Sequence, residues 1–285
     1  MSRTARLMDG TGLARRIVEE TAKRAADITE RTGTAPCLAT VLVGEDPASV
    51  TYVRMKQNRC RKAGIESRHV ALPAATTTAE LVDALGALSA DPGVHGILLQ
   101  HPMGPHIDER AAFEAIAPWK DVDGVTLASF SAMGFGLPGF TSCTPGGIMR
   151  LLDEYDVDPA GKRAVVVGRS AILGKPVGML LLGRDATVTY CHSRTADLSS
   201  AVREADIVVA AVGRPRLIRG QDIKPGAVVI DAGYNPGNVG DVDFDTARER
   251  AGLITPVPGG VGPMTIATLL AQTVEAAGRQ LAASV

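Results

Sequence analysis

The stretch Val165-Val166-Val167-Gly168-Arg169-Ser170-Ala171-Ile172-Leu173-Gly174-Lys175-Pro176-Val177-Gly178 decides the fold. An apolar run ends at Gly168 and a helical pattern opens near Gly174, so the stretch reads as a strand, a turn and a helix start. Two phosphate-binding motifs share that context, and neither fits. A P-loop has four residues between its glycines and a Ser or Thr after its lysine, whereas here five intervene and Pro176 follows Lys175. A dinucleotide fingerprint reads G-x-G-x-x-G, and Ser170 stands where its middle glycine belongs. The context still offers glycines that let backbone approach a phosphate closely. It also offers a helix N-terminus, with unpaired N–H groups and partial positive charge. A tight structural turn explains the glycine spacing equally well.

Short apolar runs alternate with helical patterns on both sides of this turn. Before it, residues 37–44, 67–73 and 94–100 read as strands, and 12–31, 48–64 and 78–90 as helices. After it, "ATVTYCH", "DIVVAAVG" and "GAVVIDAG" read as strands, "TADLSSAVREA" as a helix, and a last helix covers about 263–281. Strands and helices in this alternation predict βαβ units and parallel sheets. Residues 120–146 loosen into a Gly- and Pro-rich stretch, which marks an interdomain crossing. The expectation is an α/β protein of two α/β domains with a cleft between them, the second a Rossmann-like parallel sheet. The boundaries are 1–146, completed by the C-terminal helix (about 263–285), and 147–262.

Thirty basic against 31 acidic residues leave no field to draw the chain to nucleic acid or membrane. One Trp, four Tyr and five Phe are too few for a base-stacking surface. Cys37, Cys60, Cys143 and Cys191 form neither a C-x-x-C pair nor a disulfide scaffold, which fits a reducing compartment. The N-terminus lacks the apolar core of a signal peptide and no window is apolar enough to span a membrane, so the expected location is cytoplasmic. His69, His95, His106 and His192 show no ligand spacing, and no metal is expected.

Candidate chemistry gathers at strand ends. In an NAD site an acid about 20 residues past the first glycine holds the ribose hydroxyls. Here that strand ends in His192-Ser193-Arg194-Thr195, with no carboxylate. Ser193, Arg194 and the facing Arg169 suit a 2′-phosphate, which makes the cofactor NADP; a solvated basic turn is the alternative. Asp46-Pro47 starts a helix on which Tyr52 and Lys56 share a face. A lysine against an apolar wall exchanges protons near neutrality, and Arg54, Arg59, Arg61 and Lys62 push the same way. An exposed basic helix is the plain alternative. Gln100 ends a strand, and Asp121 and Asp123 lie in the crossover as turn formers or as acceptors for a ligand's amino groups.

Taken together, "VGEDPASVTYVRMK" (43–56), "GILLQ" (96–100), "KDVDG" (120–124), "GRSAILGKP" (168–176) and "TPVPGGVGPMTIATLL" (255–270) resemble one family. It is the bifunctional methylenetetrahydrofolate dehydrogenase/methenyltetrahydrofolate cyclohydrolase family, and the likeness runs from "LMDG" (7–10) to the last helix. The resemblance implies a folate-binding catalytic first domain and an NADP-binding second one. It implies Lys56 as general acid/base partnered by Gln100, Tyr52 packing on the folate, and Asp123 anchoring the pterin. Gly168, Arg169, Ser170, Gly174, Ser193 and Arg194 fall on the family's cofactor site. Gly259, Gly260, Pro263 and Thr265 fall on its closing loop near cofactor and folate.

The implied reaction oxidises 5,10-methylenetetrahydrofolate with NADP, then hydrolyses the methenyl product to 10-formyltetrahydrofolate, in one-carbon metabolism that feeds purine biosynthesis. The implied partners are tetrahydrofolate derivatives and a second copy of the chain in a homodimer. One segment departs from the family: Gln100-His101-Pro102-Met103-Gly104-Pro105 stands where Gln-Leu-Pro-Leu-Pro is common. The departure leaves open a dehydrogenase without useful cyclohydrolase activity, and His101 as either a neutral change or a change to the pocket's proton economy. A noncatalytic folate- or NADP-binding sensor is a further alternative.

Overall fold

A computed structural model describes residues 4–44 and 47–282, with the side chains of 47–54 outside that description. The chain begins β1 (Arg6–Leu7), α1 (Gly10–Thr32), β2 (Cys37–Val43), α2 (Pro47–Lys62) and β3 (Glu66–Leu72). It continues α3 (Thr78–Ala90), β4 (Gly96–Leu99), α4 (Glu109–Glu114), α5 (Leu127–Phe135) and α6 (Cys143–Glu154). Then come β5 (Arg163–Val167), α7 (Gly174–Leu182), β6 (Thr187–Cys191), α8 (Leu198–Arg203) and β7 (Ile207–Ala210). The last elements are β8 (Val228–Asp231), α9 (Phe244–Arg248), β9 (Leu253–Ile254) and α10 (Val261–Ala282).

Two parallel sheets result. One has the order β3-β2-β4, the other β1-β9-β8-β7-β5-β6. β7, inside the larger sheet, and β4, at an edge of the smaller one, are apolar and buried at every position, as covering on both faces demands. By internal packing the chain divides into two units. One comprises residues up to Arg15, Met133–Leu137 and Ser142–Ile266, and holds the six-stranded sheet; the other comprises Arg16–Ala132, Pro138–Thr141 and the chain from Ala267, and holds the three-stranded sheet.

The division is not the pair of cuts at 146/147 and 262/263 drawn from sequence, and the reason is pairing across the whole chain. Arg6 and Leu7 register with Leu253 and Ile254, so the first strand belongs to the second sheet. Residues 120–146, which read as a loose crossing, contain α5 and the start of α6. Their glycines and prolines mask the helices. Pro145 sits in the first turn of α6, where no amide bond is lost. A Cβ at Gly147 would crowd Met264, so that glycine serves close helix packing. α4 and α9 are too short to show a period, and two-residue β1 and β9 carry no pattern at all.

Candidate active site

In the unit of the three-stranded sheet, the Gln100 amide extends the ladder past β4 by donating to the Val41 carbonyl (2.9 Å). The residue is thereby fixed at the carboxyl edge, where parallel sheets bind ligands. From α2, the half-buried Lys56 donates through Nζ to Gln100 Oε1 at 2.9 Å. Gln100 Nε2 donates to the His101 carbonyl oxygen at 2.8 Å. That second bond chooses the amide's orientation: with its NH2 group occupied, its oxygen faces the ammonium. Tyr52 and Asp46 lie outside the described side chains and residues.

The two aspartates of "DVDG" separate. Asp121 is fully buried and accepts from the Val125 amide (3.1 Å), the Thr126 amide (2.9 Å) and Ser129 Oγ (2.6 Å), so it is the turn former. Asp123, half-buried, sits on the turn so made, and Gly124 closes it at φ +65°. Gln272 of α10 fastens this turn from the far end of the sequence. Its Nε2 donates to the Val122 carbonyl (2.7 Å) and the Thr141 carbonyl (2.9 Å), while its Oε1 accepts from the Thr141 amide (3.1 Å). Lys120 is buried and donates to the Asp91 carbonyl (2.6 Å) and the Leu88 carbonyl (3.3 Å), which caps the end of α3 with a cation. Burial lowers its pKa below the usual lysine value, with Asp91 opposing. Sequence reasoning missed both Gln272 and Lys120. No local signal marks Gln272, and Lys120 was visible only as the first letter of a motif.

The departing segment acts through its backbone. The His101 ring packs edge-on to Phe113, with centroids 6.3 Å apart, and its carbonyl, not its imidazole, meets Gln100. His106 Nε2 lies 3.1 Å from the Thr76 carbonyl. An open groove of about 380 Å3 lined by Gln57, Arg61 and Gly64–Ser67 lies at the amino end of β3, away from the edge that holds Gln100.

In the unit of the six-stranded sheet, β5 has β6 on one side and β7 on the other, so the strand order reverses between β5 and β7. Dinucleotides bind at such a switch point. Gly168 holds φ +132°, and a Cβ there would collide with the Ala211 carbonyl. A Cβ at Gly174 would collide with the Gly168 carbonyl and the Arg169 amide. The turn is therefore a cradle that only glycines at these two positions permit. Ser170 closes it, its Oγ accepting from the Gly174 amide (3.2 Å) and its carbonyl from the Lys175 amide (3.0 Å). Tyr190 Oη donates to the Lys175 carbonyl (2.8 Å). At the end of β6, the His192 amide donates to Thr195 Oγ1 (2.8 Å) and the Arg194 amide to His192 Nδ1 (3.2 Å), which leaves Ser193 and Arg194 exposed at the tip. Arg169 is exposed as well. A backbone cradle with exposed cations beside it fits a dinucleotide carrying an extra phosphate.

The closing loop is strapped within the same unit. The Thr11 amide donates to the Gly259 carbonyl (3.0 Å) and the Gly260 amide to the Pro256 carbonyl (2.9 Å). A Cβ on Gly10 would collide with the Gly260 carbonyl, so the start of α1 lies directly on the loop. Half-buried Pro263 and Thr265 lie near the start of α10, with Thr265 Oγ1 2.9 Å from Thr144 Oγ1. All four cysteines are buried free thiols, and among the described residues no group of His, Cys, Asp or Glu could hold a metal. Among the same residues no helix is long and apolar enough to cross a membrane.

Known proteins align with the chain along its length. Residues 8–123 match the model of the tetrahydrofolate dehydrogenase/cyclohydrolase catalytic domain, and 142–281 that of the corresponding NAD(P)-binding domain. A "bifunctional protein FolD 1" of Streptomyces avermitilis is 82% identical over 280 residues, 98% of each chain. The crystal structure of a FolD methylenetetrahydrofolate dehydrogenase/cyclohydrolase from Campylobacter jejuni superposes with a TM-score of 0.95 at 42% identity, covering 96% of this chain and 99% of that one. The Trypanosoma brucei enzyme, solved with NADP and an inhibitor, gives 0.93 at 40% identity, covering 97% of this chain and 98% of that one.

Proposed function

The chain belongs to the tetrahydrofolate dehydrogenase/cyclohydrolase family, and from that premise we propose how its own residues divide the work. It is a bifunctional enzyme that oxidises 5,10-methylenetetrahydrofolate with NADP and hydrolyses 5,10-methenyltetrahydrofolate to 10-formyltetrahydrofolate. When bound, NADP supplies the hydride acceptor for the first reaction. Gly168, Ser170 and Gly174 form the backbone cradle for its phosphates, and Arg169, Ser193 and Arg194 select the 2′-phosphate. Gly260, Pro263 and Thr265, on the closing loop, serve substrate binding. For the folate, Asp123 accepts hydrogen bonds from the pterin's amino group, and Tyr52 packs on the ring.

The hydrolytic step is a problem of proton placement. Water adds to the methenyl carbon and the bond from that carbon to N5 breaks. Of the two protons that the water brings, one ends on N5 and the other leaves to solvent. Lys56 as the neutral amine takes a proton from the adding water, and as the ammonium returns one to N5. Gln100 keeps Nζ aimed during both transfers. The observation that carries this reading is the 2.9 Å bond from Lys56 Nζ to Gln100 Oε1 at the carboxyl edge of the sheet. The dehydrogenase-only alternative drew on the altered 101–105 segment, and that segment preserves the amide's orientation through a carbonyl any residue would supply. The test is a paired optical assay: NADPH formation from the methylene substrate, and decay of separately supplied methenyl substrate. Full hydrolysis by Lys56→Met would remove the lysine from this role.

The enzyme works as a homodimer in the cytoplasm, supplying one-carbon units for purine biosynthesis. Support for the dimer comes from β6, an edge strand of the larger sheet, where Tyr190 is 38% exposed and Leu182 of the adjoining α7 is 62% exposed. Light scattering that returns the mass of one chain at micromolar concentration would overturn it.

A further inference from the structure

Two carboxylates of the unit that holds the larger sheet take no part in the chemistry above, and both are almost wholly buried: Asp231, at the end of β8, at 4% and Asp241, in the loop after it, at 0% exposure. Asp241 does an unusual thing with its charge. Its Oδ2 accepts from the amides of Val212 (2.7 Å) and Gly213 (2.9 Å), and its Oδ1 accepts from the Arg214 amide (2.8 Å) and Asn235 Nδ2 (3.1 Å). Three successive N–H groups thus converge on one carboxylate, with Gly213 at φ +63° to let them. Such a concave run of amides is the shape that elsewhere holds an anion. Asp231 in turn holds Asp241. It accepts from the amides of Gly233 (2.9 Å), Asp241 (3.0 Å) and Val242 (2.9 Å), and a Cβ at Gly240 would collide with it.

The loop gripped in this way forms one wall of the switch point. It leaves the carboxyl end of β7, and its first residue, Ala211, is the backbone against which Gly168 is pressed. The 2′-phosphate half of the dinucleotide is assigned to the end of β6, on the other side of β5. A dinucleotide laid across the crevice must therefore put its other half on the β7 side, against residues 211–214.

We propose that Asp241 is a positioning residue for the nicotinamide half of NADP: its buried carboxylate sets the backbone of Val212–Arg214 that this half of the cofactor lies against. Asp231 supports it by fixing the main chain at 241 and 242. This rests on the functional reading above.

The experiment measures two dissociation constants by calorimetry on the full chain, for NADP and for 2′,5′-ADP, which carries only the phosphorylated adenosine half. In Asp241→Asn one acceptor oxygen becomes an NH2 group facing amide donors, so the loop is displaced while size is kept. The Kd for NADP rises by about tenfold or more, and that for 2′,5′-ADP stays within about twofold. Equal weakening of both ligands would mean that the carboxylate merely holds the domain together, and an unchanged Kd for NADP would mean that the loop does not meet the cofactor; either overturns the proposal. If Asp241→Asn does not fold, Gly213→Ala is read by the same criteria, since its φ strains the loop while nothing lies within 4 Å of the added Cβ. Failure of the unaltered chain to bind either ligand would sink the functional reading and this proposal with it.

Discussion

Lys56 and Gln100 share one hydrogen bond, yet they fail differently when changed. Lys56→Met removes the group that carries protons, so hydrolysis of supplied methenyl substrate falls by about 10^3-fold. Gln100→Met leaves the ammonium in place without its guide, and the loss is about tenfold to a hundredfold, read in the same decay assay. A reversal of that order would show that the amide, not the amine, handles the proton. His101→Leu restores the residue common in the family but keeps the carbonyl that Gln100 uses. Both activities stay within about twofold of the unaltered enzyme, and a larger change would bring the imidazole into the chemistry. The residue scale is also where sequence reading reached least far on its own. Helical spacing put Tyr52 and Lys56 on one face, but an exposed basic helix fitted that spacing too. Resemblance, not periodicity, separated the two readings. Spacing alone did not separate Asp121 from Asp123; the resemblance singled out Asp123, and the turn's own amides consume the Asp121 carboxylate.

Among the elements, the β5–α7 turn was legible because everything that shapes it lies within one short segment. Its strand is apolar, its glycines stand where side chains cannot, and its helix follows at once. Gly168→Ala strains φ and strikes the Ala211 carbonyl together, and the expected cost is about 2 kcal/mol or more with loss of NADP binding. Unimpaired NADP binding by that variant would mean that the turn is not the cradle. The start of α3 is a capping box, with Thr77 Oγ1 accepting from the Glu80 amide (3.3 Å) and Glu80 Oε2 from the Thr77 amide (2.8 Å). Thr77→Ala costs about 1 kcal/mol, or roughly 2–4 °C in Tm, and a scan of the purified variant checks it. Gln272 marks the opposite limit. Its partners Val122 and Thr141 lie more than a hundred residues away, and no window over α10 separates a fastening glutamine from an exposed one. The short strands β1 and β9 were illegible for a related reason: two residues have no period, and only their partner defines them.

For the whole molecule, the buried acid Asp231 ties stability to pH. Burial pushes its carboxyl up to about 6 from a reference of 3.8, with nearby Asp241 adding to the rise and three backbone amides opposing it. The folded chain therefore binds this proton more tightly than the unfolded chain does. The contribution is fully present below pH 3.8 and is lost as pH rises through about 6. The ceiling is about 3 kcal/mol. Asp231→Asn abolishes the titration, so urea midpoints at about pH 4 and about pH 7 lie closer together in the variant than in the parent. Equal separation in both would assign the trend to other groups. A different consequence follows from β1 pairing with β9, and from the stretch beyond Ala267 belonging with the three-stranded sheet. During synthesis on a ribosome, the amino-terminal strand is made first and waits for a partner that emerges near the end. The first sheet waits in turn for its last helix. Chains arrested near residue 250 are expected to be digested by protease in both halves, and a resistant half would refute this. Each half is finished only by the closing stretch of chain, from β9 onward for one and from Ala267 onward for the other, so a message cut short before β9 yields no partial catalyst.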